Sequence, residues 1–216
     1  LSLVISISFV FLSLLWFGLC SRSVKRQSAL MHIVERITAK EFVDTSLEDE
    51  LKEILHKRDN VIKDRFDHLI ETCPVIDLKT ATSRDELFKL IAHTFSQRLK
   101  VDEEKIASLL HEREEQSTTV IEKDLALPHI VVEGTQKFEI IIVRSKEGIV
   151  FSTGKEPVRV IFALAGSKDE RNFHLRALMA IAQIVRENDF HGNWLRMRDQ
   201  ESLRMLVLSS TRKRDI

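Results

Sequence analysis

The chain has 216 residues, of which 44% are hydrophobic, and its 33 basic side chains equal its 33 acidic ones in number. This hydrophobic fraction is enough for a sizeable core and excludes a disordered chain. Because there is no basic excess to create an attractive field, the charge balance argues against nucleic acid as a partner.

The first predicted element is an uncharged apolar run over residues 1–20. Its length matches the roughly 20 residues that a helix needs to cross a bilayer. Arg22, Lys25 and Arg26 follow it, and basic residues on this side predict that the rest of the chain faces the cytoplasm. A signal peptide is the alternative, but its basic residues would precede the apolar core. We expect the last transmembrane helix of a larger membrane protein, continuing upstream of Leu1.

Residues 21–73 are predicted to form a basic flank and a helical connector. Ser46 and Asp49 provide a helix cap, and Cys73-Pro74 ends the helix because the residue before proline avoids helical geometry. The apolar residues recur at intervals of three and four, which is typical of an amphipathic helix: Leu47, Leu51, Ile54, Leu55, Ile62, Phe66, Leu69 and Ile70. This apolar stripe would pack against the following domain or a second copy, and the simpler alternative is a solvated spacer.

Residues 74–216 are predicted to form one domain of the α/β class. It would have a mixed central sheet of about five strands with helices on both faces. The elements, in order, are a strand at 75–78, helices at 83–99 and 102–115, strands at 138–144 and 158–165, a helix at 170–188, a short helix near Trp194 and a helix at 200–208.

Two capping boxes and one apolar stripe refine this prediction. Ser83 with Glu86, and Ser167 with Glu170, have the spacing that opens a helix. We expect the side chains of the two apolar strands around Ile141 and Ile161 to form a buried core shared with the helix at 170–188. The stripe of that helix that we expect to be buried comprises Leu175, Leu178, Met179, Ala182 and Val185.

The most informative motif is a histidine directly after a proline, in Ala126-Leu127-Pro128-His129. A second histidine, His174, falls in the first turns of an apolar helix, and such a pair can present an imidazole nitrogen as a phosphoryl acceptor. Without further context, each would be interpreted as a packed or surface histidine. The histidines show no zinc-ligand spacing and there is no Walker loop, so we expect neither a metal nor another cofactor.

The order of these motifs is characteristic of a known family. Arg113-Glu114, Ser117-Thr118, the stretch ending at His129, and then His174-Leu175 resemble the enzyme IIA domain of the bacterial phosphoenolpyruvate phosphotransferase system, of the fructose/mannitol and nitrogen-regulatory type. The resemblance implies that a small, HPr-like phosphocarrier protein phosphorylates His129, and that His174 and Arg113 flank the phosphate. Ser117 and Thr118 are expected to donate further hydrogen bonds to it.

Three residues depart from the family pattern. Thr119 and Asp124 stand where members usually have glycine, and Ile130 stands where they have a small residue. We expect Ile130 to crowd the face on which a phosphocarrier would dock.

Two classes of function are compatible with the sequence. The domain accepts a phosphoryl group and regulates an upstream transporter domain, to which it is fused; residues 24–30 are similar to the cytoplasmic tails of amino-acid permease-type transporters. Alternatively, it is a non-phosphorylated sensor or docking module of such a transporter, or a phosphoryl carrier of a sugar phosphotransferase system.

Overall fold

The computed structural model describes residues 63–152 and 156–214. The helices are α1 (Arg65–Thr72), α2 (Arg84–Leu99), α3 (Glu103–Gln116), α4 (Arg171–Val185), α5 (Phe190–Arg196) and α6 (Gln200–Leu208). The strands are β1 (Val75–Leu78), β2 (Val120–Glu122), β3 (Leu125–Ala126), β4 (His129–Val132), β5 (Phe138–Ile149) and β6 (Val158–Ser167). This arrangement confirms the α/β class. None of the described helices is long and apolar enough to cross a bilayer, and the predicted span at 1–20 lies outside the described residues.

The described strands form one mixed sheet. Its order is β1-β5-β6-β3-β2, and β4 pairs with the same strand β6 as β3 does. β5 and β6 are antiparallel, whereas β1 is parallel to β5, and both β3 and β4 are parallel to β6. The sheet has six described strands rather than about five, because β2, β3 and β4 are too short to give a periodic pattern.

Helices cover both faces of the sheet, as predicted. Side chains of β5 and β6 alternate between the faces, so each strand is buried on both sides. One face packs Ile140 and Phe162 against α1, α4, α5 and α6. The other packs Ile141 and Ile161 against α2 and α3. The predicted core shared by the strands around Ile141 and Ile161 and the helix at 170–188 is therefore present on the first face. Ile141 and Ile161 themselves point to the opposite face from α4.

The predicted buried stripe of α4 is also largely wrong. Leu175 and Met179 are 53% and 61% exposed, and Ala182 is exposed too; Leu178 is partly buried and Val185 is buried. A second stripe at the same spacing faces the sheet instead: Phe173, Ala177, Ala180, Ile181 and Ile184. Because the helix has apolar residues on both stripes, helical periodicity could not select the buried one.

The helix starts agree with the sequence at one of the two predicted capping boxes. Ser83 accepts a hydrogen bond from the Glu86 backbone, and Glu86 bonds the Ser83 backbone in return. Ser167 makes no such cap; its hydroxyl donates to Asp169 at 2.6 Å, and a 3-10 turn over Lys168–Glu170 precedes α4. The short polar side chain here stabilises a turn in place of a helix start.

Helix α1 belongs to the same core as the sheet. It begins after Asp64, whose extended backbone interrupts the predicted connector helix, and it buries Phe66 and Ile70. It ends before Cys73, as predicted. From the carboxyl end of the chain, Arg212 contacts Asp64 at 2.7 Å. The rest of the predicted connector, up to residue 62, lies outside the described residues.

Candidate functional site

His129 lies at the start of β4, where the strand pairing with β6 fixes its backbone. The Pro128 carbonyl accepts a hydrogen bond from the Leu164 backbone at 2.9 Å. The ring nitrogen Nδ1 of His129 lies 2.8 Å from the Leu127 carbonyl oxygen. The other ring nitrogen, Nε2, lies 3.3 Å from Nε and 3.2 Å from Nη2 of Arg113.

These contacts define the tautomer of His129. A guanidinium can only donate and a carbonyl oxygen can only accept, so Nδ1 carries the hydrogen and Nε2 carries the lone pair. Burial lowers the pKa of His129 and the positive charge of Arg113 lowers it further, while the Leu127 hydrogen bond opposes them. The ring is therefore neutral at physiological pH, with the nucleophilic atom Nε2 defined.

His174 stands beside it in the first turn of α4. The two imidazole centroids are 5.7 Å apart in an edge-to-face arrangement, and Phe138 packs against His174 at 5.6 Å. Burial lowers the pKa of His174, and the His129 imidazole lowers it further. Its Nε2 atom is buried without a hydrogen-bond partner among the described residues. A buried, unpaired nitrogen of this kind is unfavourable unless a ligand or water satisfies it.

Gly166 on β6 makes this packing possible. A Cβ atom at that position would come within 2.7 Å of the Phe138 ring and 3.6 Å of His174 Nδ1. The absence of a side chain at Gly166 therefore lets Phe138 hold His174 against the sheet.

Arg113 comes from the last turn of α3 and is anchored by the following loop. Its Nη1 atom donates to the Ser117 carbonyl at 2.9 Å. The hydroxyl of Thr118 donates to Glu114 at 3.0 Å, so it is already engaged, and the side chain of Ser117 is exposed. The structure thus brings His129, His174 and Arg113 together, with the Ser117 backbone beside them.

Glu114 organises this loop, although the sequence did not suggest that role. Its carboxylate is buried and accepts hydrogen bonds from the Thr118 hydroxyl, the Thr119 backbone and the Thr119 hydroxyl. Buried carboxylates require such donors, which a charge run in a sequence does not reveal. The only sequence indication was its place beside Arg113 in the motif.

The three departures from the family pattern fit the local structure. Asp124 adopts φ +71°, a conformation that favours glycine but that aspartate tolerates, and it accepts hydrogen bonds from the backbone and side chain of Arg159. Thr119 is buried, and its hydroxyl donates a hydrogen bond to the Glu114 carboxylate. Ile130 is 4% exposed and packs in the core under α3, so the expectation that it crowds a docking face is wrong. Its neighbour Val131 is the exposed apolar residue on β4.

Residues 69–210 match the profile of one protein family, described as "Phosphoenolpyruvate-dependent sugar phosphotransferase system, EIIA 2". The chain belongs to this family. Its resemblance to the type-2 enzyme IIA domain, inferred from the motifs, is therefore confirmed, and the matched residues include every site residue named above.

Individual relatives show how widely the similarity extends. The mannitol-specific phosphotransferase enzyme IIA component of Bacillus subtilis is 30% identical over 128 residues, which are 58% of this chain and 86% of the relative. The fructose-specific EIIABC component of Mycoplasma pneumoniae is 32% identical over 91 residues, 42% of this chain but only 13% of that longer protein. The crystal structure of the nitrogen regulatory protein IIA-Ntr from Neisseria meningitidis superposes with a TM-score of 0.58 at 20% identity, covering 65% of this chain and 99% of that one, and supports the fold.

The arrangement combines a neutral nucleophile with a cation. Nε2 of His129 can form a bond to phosphorus, and the guanidinium of Arg113 is suited to phosphate oxygens. Within residues 63–152 and 156–214, no group of three or more His, Cys, Asp and Glu side chains is arranged to hold a metal ion.

Proposed function

We propose that this domain accepts a phosphoryl group on Nε2 of His129 and regulates a membrane transporter to which it is fused. The observation that carries the proposal is the two-sided constraint on His129, with Leu127 holding the Nδ1 hydrogen and Arg113 facing Nε2. An imidazole fixed in this way needs no proton removal before it reacts. The fold and the family support the same chemistry.

The transfer is a displacement at phosphorus. The Nε2 lone pair forms the new N–P bond while the bond from phosphorus to the donor breaks, and the donor atom keeps that electron pair. Arg113, which contacts Nε2 in the resting site, then turns to the phosphoryl oxygens and balances their charge of about −2. The hydrogen stays on Nδ1 and keeps its hydrogen bond to the Leu127 carbonyl oxygen, which stabilises the positive charge developing on the ring.

His174 is the second group of the proposed site. Its unpaired Nε2 is available to donate a hydrogen bond to a phosphoryl oxygen on His129, which would satisfy it. Of the two hydroxyls expected from the sequence, that of Ser117 is exposed and free to join, whereas that of Thr118 would have to leave Glu114. We therefore assign phosphate contacts to Arg113 and His174 first, with Ser117 second and Thr118 least.

The cellular context is also a proposal. The family supports a small, HPr-like phosphocarrier protein as the donor. The fructose-specific relative contains the matched region as a small part of a much longer protein, which supports fusion to a transporter. The apolar run at 1–20 would anchor the chain in the bacterial inner membrane, with residues 74–216 in the cytoplasm; the amino-acid permease type rests on residues 24–30 alone. The mannitol-specific relative favours a second candidate, a phosphoryl carrier of a sugar phosphotransferase system.

Phosphoryl transfer to the whole chain tests the proposal. The chain in detergent, incubated with phosphoenolpyruvate, enzyme I and the phosphocarrier, should gain one acid-labile phosphoryl group. His129→Ala should abolish it, and Arg113→Lys should slow it because the planar fork is lost. His93→Ala is the matched control, since this histidine is exposed on α2 and should not matter. Label that survives His129→Ala, or no label where the Bacillus subtilis enzyme IIA is labelled, would reject the proposal.

A further inference from the structure

A cleft lies between α4, α1 and the last described residues of the chain. Its volume is about 180 Å³. Because an apolar cavity of roughly 150 Å³ holds a benzene molecule, the cleft has room for a compact organic ligand. Phe66 from α1, together with Phe173 and Met179 from α4, forms its apolar wall. These side chains suit a small hydrocarbon group.

The polar part of the wall includes Arg212, which is 5% exposed. Its Nη1 and Nη2 atoms donate to Asp64 at 2.8 and 2.7 Å, and Nη2 also donates to Asp67 at 2.8 Å. The second oxygen of Asp67 accepts from Arg214 at 2.7 Å. The Nε atom of Arg212 is buried without a hydrogen-bond partner among the described residues. The two carboxylates are therefore engaged by these two arginines and still do not satisfy every N–H of Arg212.

Two further cations line the cleft, and neither is neutralised. Arg176 and Lys213 are exposed, and within residues 63–152 and 156–214 neither side chain makes an ion pair or a hydrogen bond. Arg65, by contrast, pairs with Glu170 at 2.7 Å and lies over the Phe173 ring at 4.1 Å. The unbalanced positive charge of the cleft therefore belongs to Arg176 and Lys213, and it attracts an anion.

The apolar wall and the two free cations together select the kind of anion. A guanidinium donates two parallel hydrogen bonds to a carboxylate, and an ammonium adds a point charge. Inorganic phosphate would use the cations but not the aromatic rings, and a neutral hydrocarbon would use the rings but not the cations. We propose that the cleft binds a small organic carboxylate. Its apolar body lies against Phe66 and Phe173, and its carboxylate lies between Arg176 and Lys213.

The proposed site adjoins the histidine pair but does not include it. Phe173 packs edge-to-face on Phe138 at 4.8 Å, and Phe138 is the ring that packs against His174. A ligand against Phe173 is therefore two ring contacts away from His174 and touches the aromatic support of that histidine. Its binding does not depend on the proposed function.

Photolabelling of the whole chain in detergent with 4-azidobenzoate locates the site. In the proposed pose the carboxylate lies at Arg176 and Lys213, and the azide at the opposite end of the ring points to the aromatic wall. We expect light-dependent label on α1 and on the first half of α4, at or beside Phe66 and Phe173. Benzoate should protect these peptides with a half-effect concentration on the order of a millimolar, which is typical of so small a ligand.

Two competitors and one pair of variants test the chemistry. Benzyl alcohol lacks the charge and inorganic phosphate lacks the ring, so neither should protect at the concentration where benzoate does. Arg176→Gln with Lys213→Gln should weaken protection by benzoate about tenfold, because two exposed charge pairs are lost. Arg171→Gln is the matched control, since Arg171 is exposed on the same helix and does not line the cleft. Because all three side chains are exposed, Tm should not change.

The proposal is wrong if benzyl alcohol or phosphate protects as well as benzoate, or if benzoate protects the double variant and Arg171→Gln at the same concentration. It is also wrong if benzoate protects no label on α1 or α4. The phosphoryl assay keeps the two proposals apart. Normal protection by benzoate without any phosphoryl labelling would reject only the proposed function, whereas phosphoryl labelling without protection would reject only the carboxylate site.

Discussion

Replacing Glu114 with glutamine tests whether the buried carboxylate holds the loop that follows α3. Its Oε2 atom accepts from the Thr119 backbone at 2.9 Å and from the Thr119 hydroxyl, and its Oε1 atom accepts from the Thr118 hydroxyl at 3.0 Å. Glutamine keeps the shape but places an amide NH₂ where one oxygen was. The Thr118 hydroxyl can turn to accept from this amide, so the hydrogen bonds remain but their acceptor is no longer charged. A hydrogen bond to a charged group contributes roughly 1.5–3 kcal/mol, and one between neutral groups contributes about 1 kcal/mol.

We therefore expect Glu114→Gln to lower the free energy of unfolding by about 1–3 kcal/mol. For a domain of roughly 150 residues, each kcal/mol corresponds to about 2–4 °C in Tm. The labelling rate should fall as well, because the same loop carries the Ser117 carbonyl that anchors Arg113. Glu115→Gln is the control, since that neighbour is exposed. If Glu114→Gln and Glu115→Gln have the same Tm and labelling rate, Glu114 does not organise the loop.

Four further predictions concern stability, pH and topology. Ile161→Ala should cost roughly 2–5 kcal/mol in urea unfolding, because the side chain is fully buried against α2 and α3; an unchanged midpoint would contradict the packing. Gly166→Ala should lower Tm and slow labelling, because its Cβ would displace the Phe138 ring from beside His174, whereas normal values for both would show that the ring moves freely. Burial lowers the pKa values of His129 and His174 below 6.5 in the folded state. The free energy of unfolding should therefore be constant above pH 6.5 and fall as the pH drops from 6.5 toward those lowered pKa values, because the unfolded chain takes up the protons first. A variant with both histidines replaced by glutamine should lack this loss. A fluorescent protein fused after Ile216 should report the cytoplasm, and a periplasmic result would refute the orientation predicted from the basic residues after the span at 1–20.

The sequence predicted three helices and one short strand closely, ended the longest strand, β5, five residues early, and missed three other short strands. Strand β1, helices α2 and α3, and helix α6 begin and end within about a residue of their predicted bounds, because caps and apolar periodicity define them locally. Strands β2, β3 and β4 were not predicted, and β2 and β3, with three and two residues, are too short to show a period. β2 pairs with its neighbour β3, but β3 and β4 both pair with β6, which lies far along the chain, and this register alone makes His129 the first residue of a strand.

The pairing of His129 with Arg113 and His174 came from motif order and not from local physics. Arg113 lies in a charge-rich helix end, where the sequence does not distinguish a solvated side chain from one directed at an imidazole. Glu114 is harder still, because its burial follows from the loop that folds over it. Contacts between elements that are distant in the sequence determine the surroundings of both Arg113 and Glu114, so neither composition nor residue spacing can predict them.

Ile130 shows how the structure changes an experiment as well as an interpretation. As a bulky residue directly after His129, Ile130 is predicted by the sequence to block a partner, and Ile130→Gly would then restore access. Because the side chain is 4% exposed within the core under α3, the same substitution removes a buried side chain and adds backbone freedom to β4. We expect Ile130→Gly to destabilise the domain by at least the roughly 2–5 kcal/mol of a large-to-small core change, and to slow labelling by disordering His129. The substitution that probes the surface is Val131→Ser, since Val131 is 54% exposed on the same strand. If Ile130→Gly kept a normal Tm and was labelled faster, Ile130 would have to lie on the docking face, and the packing described for β4 would be wrong.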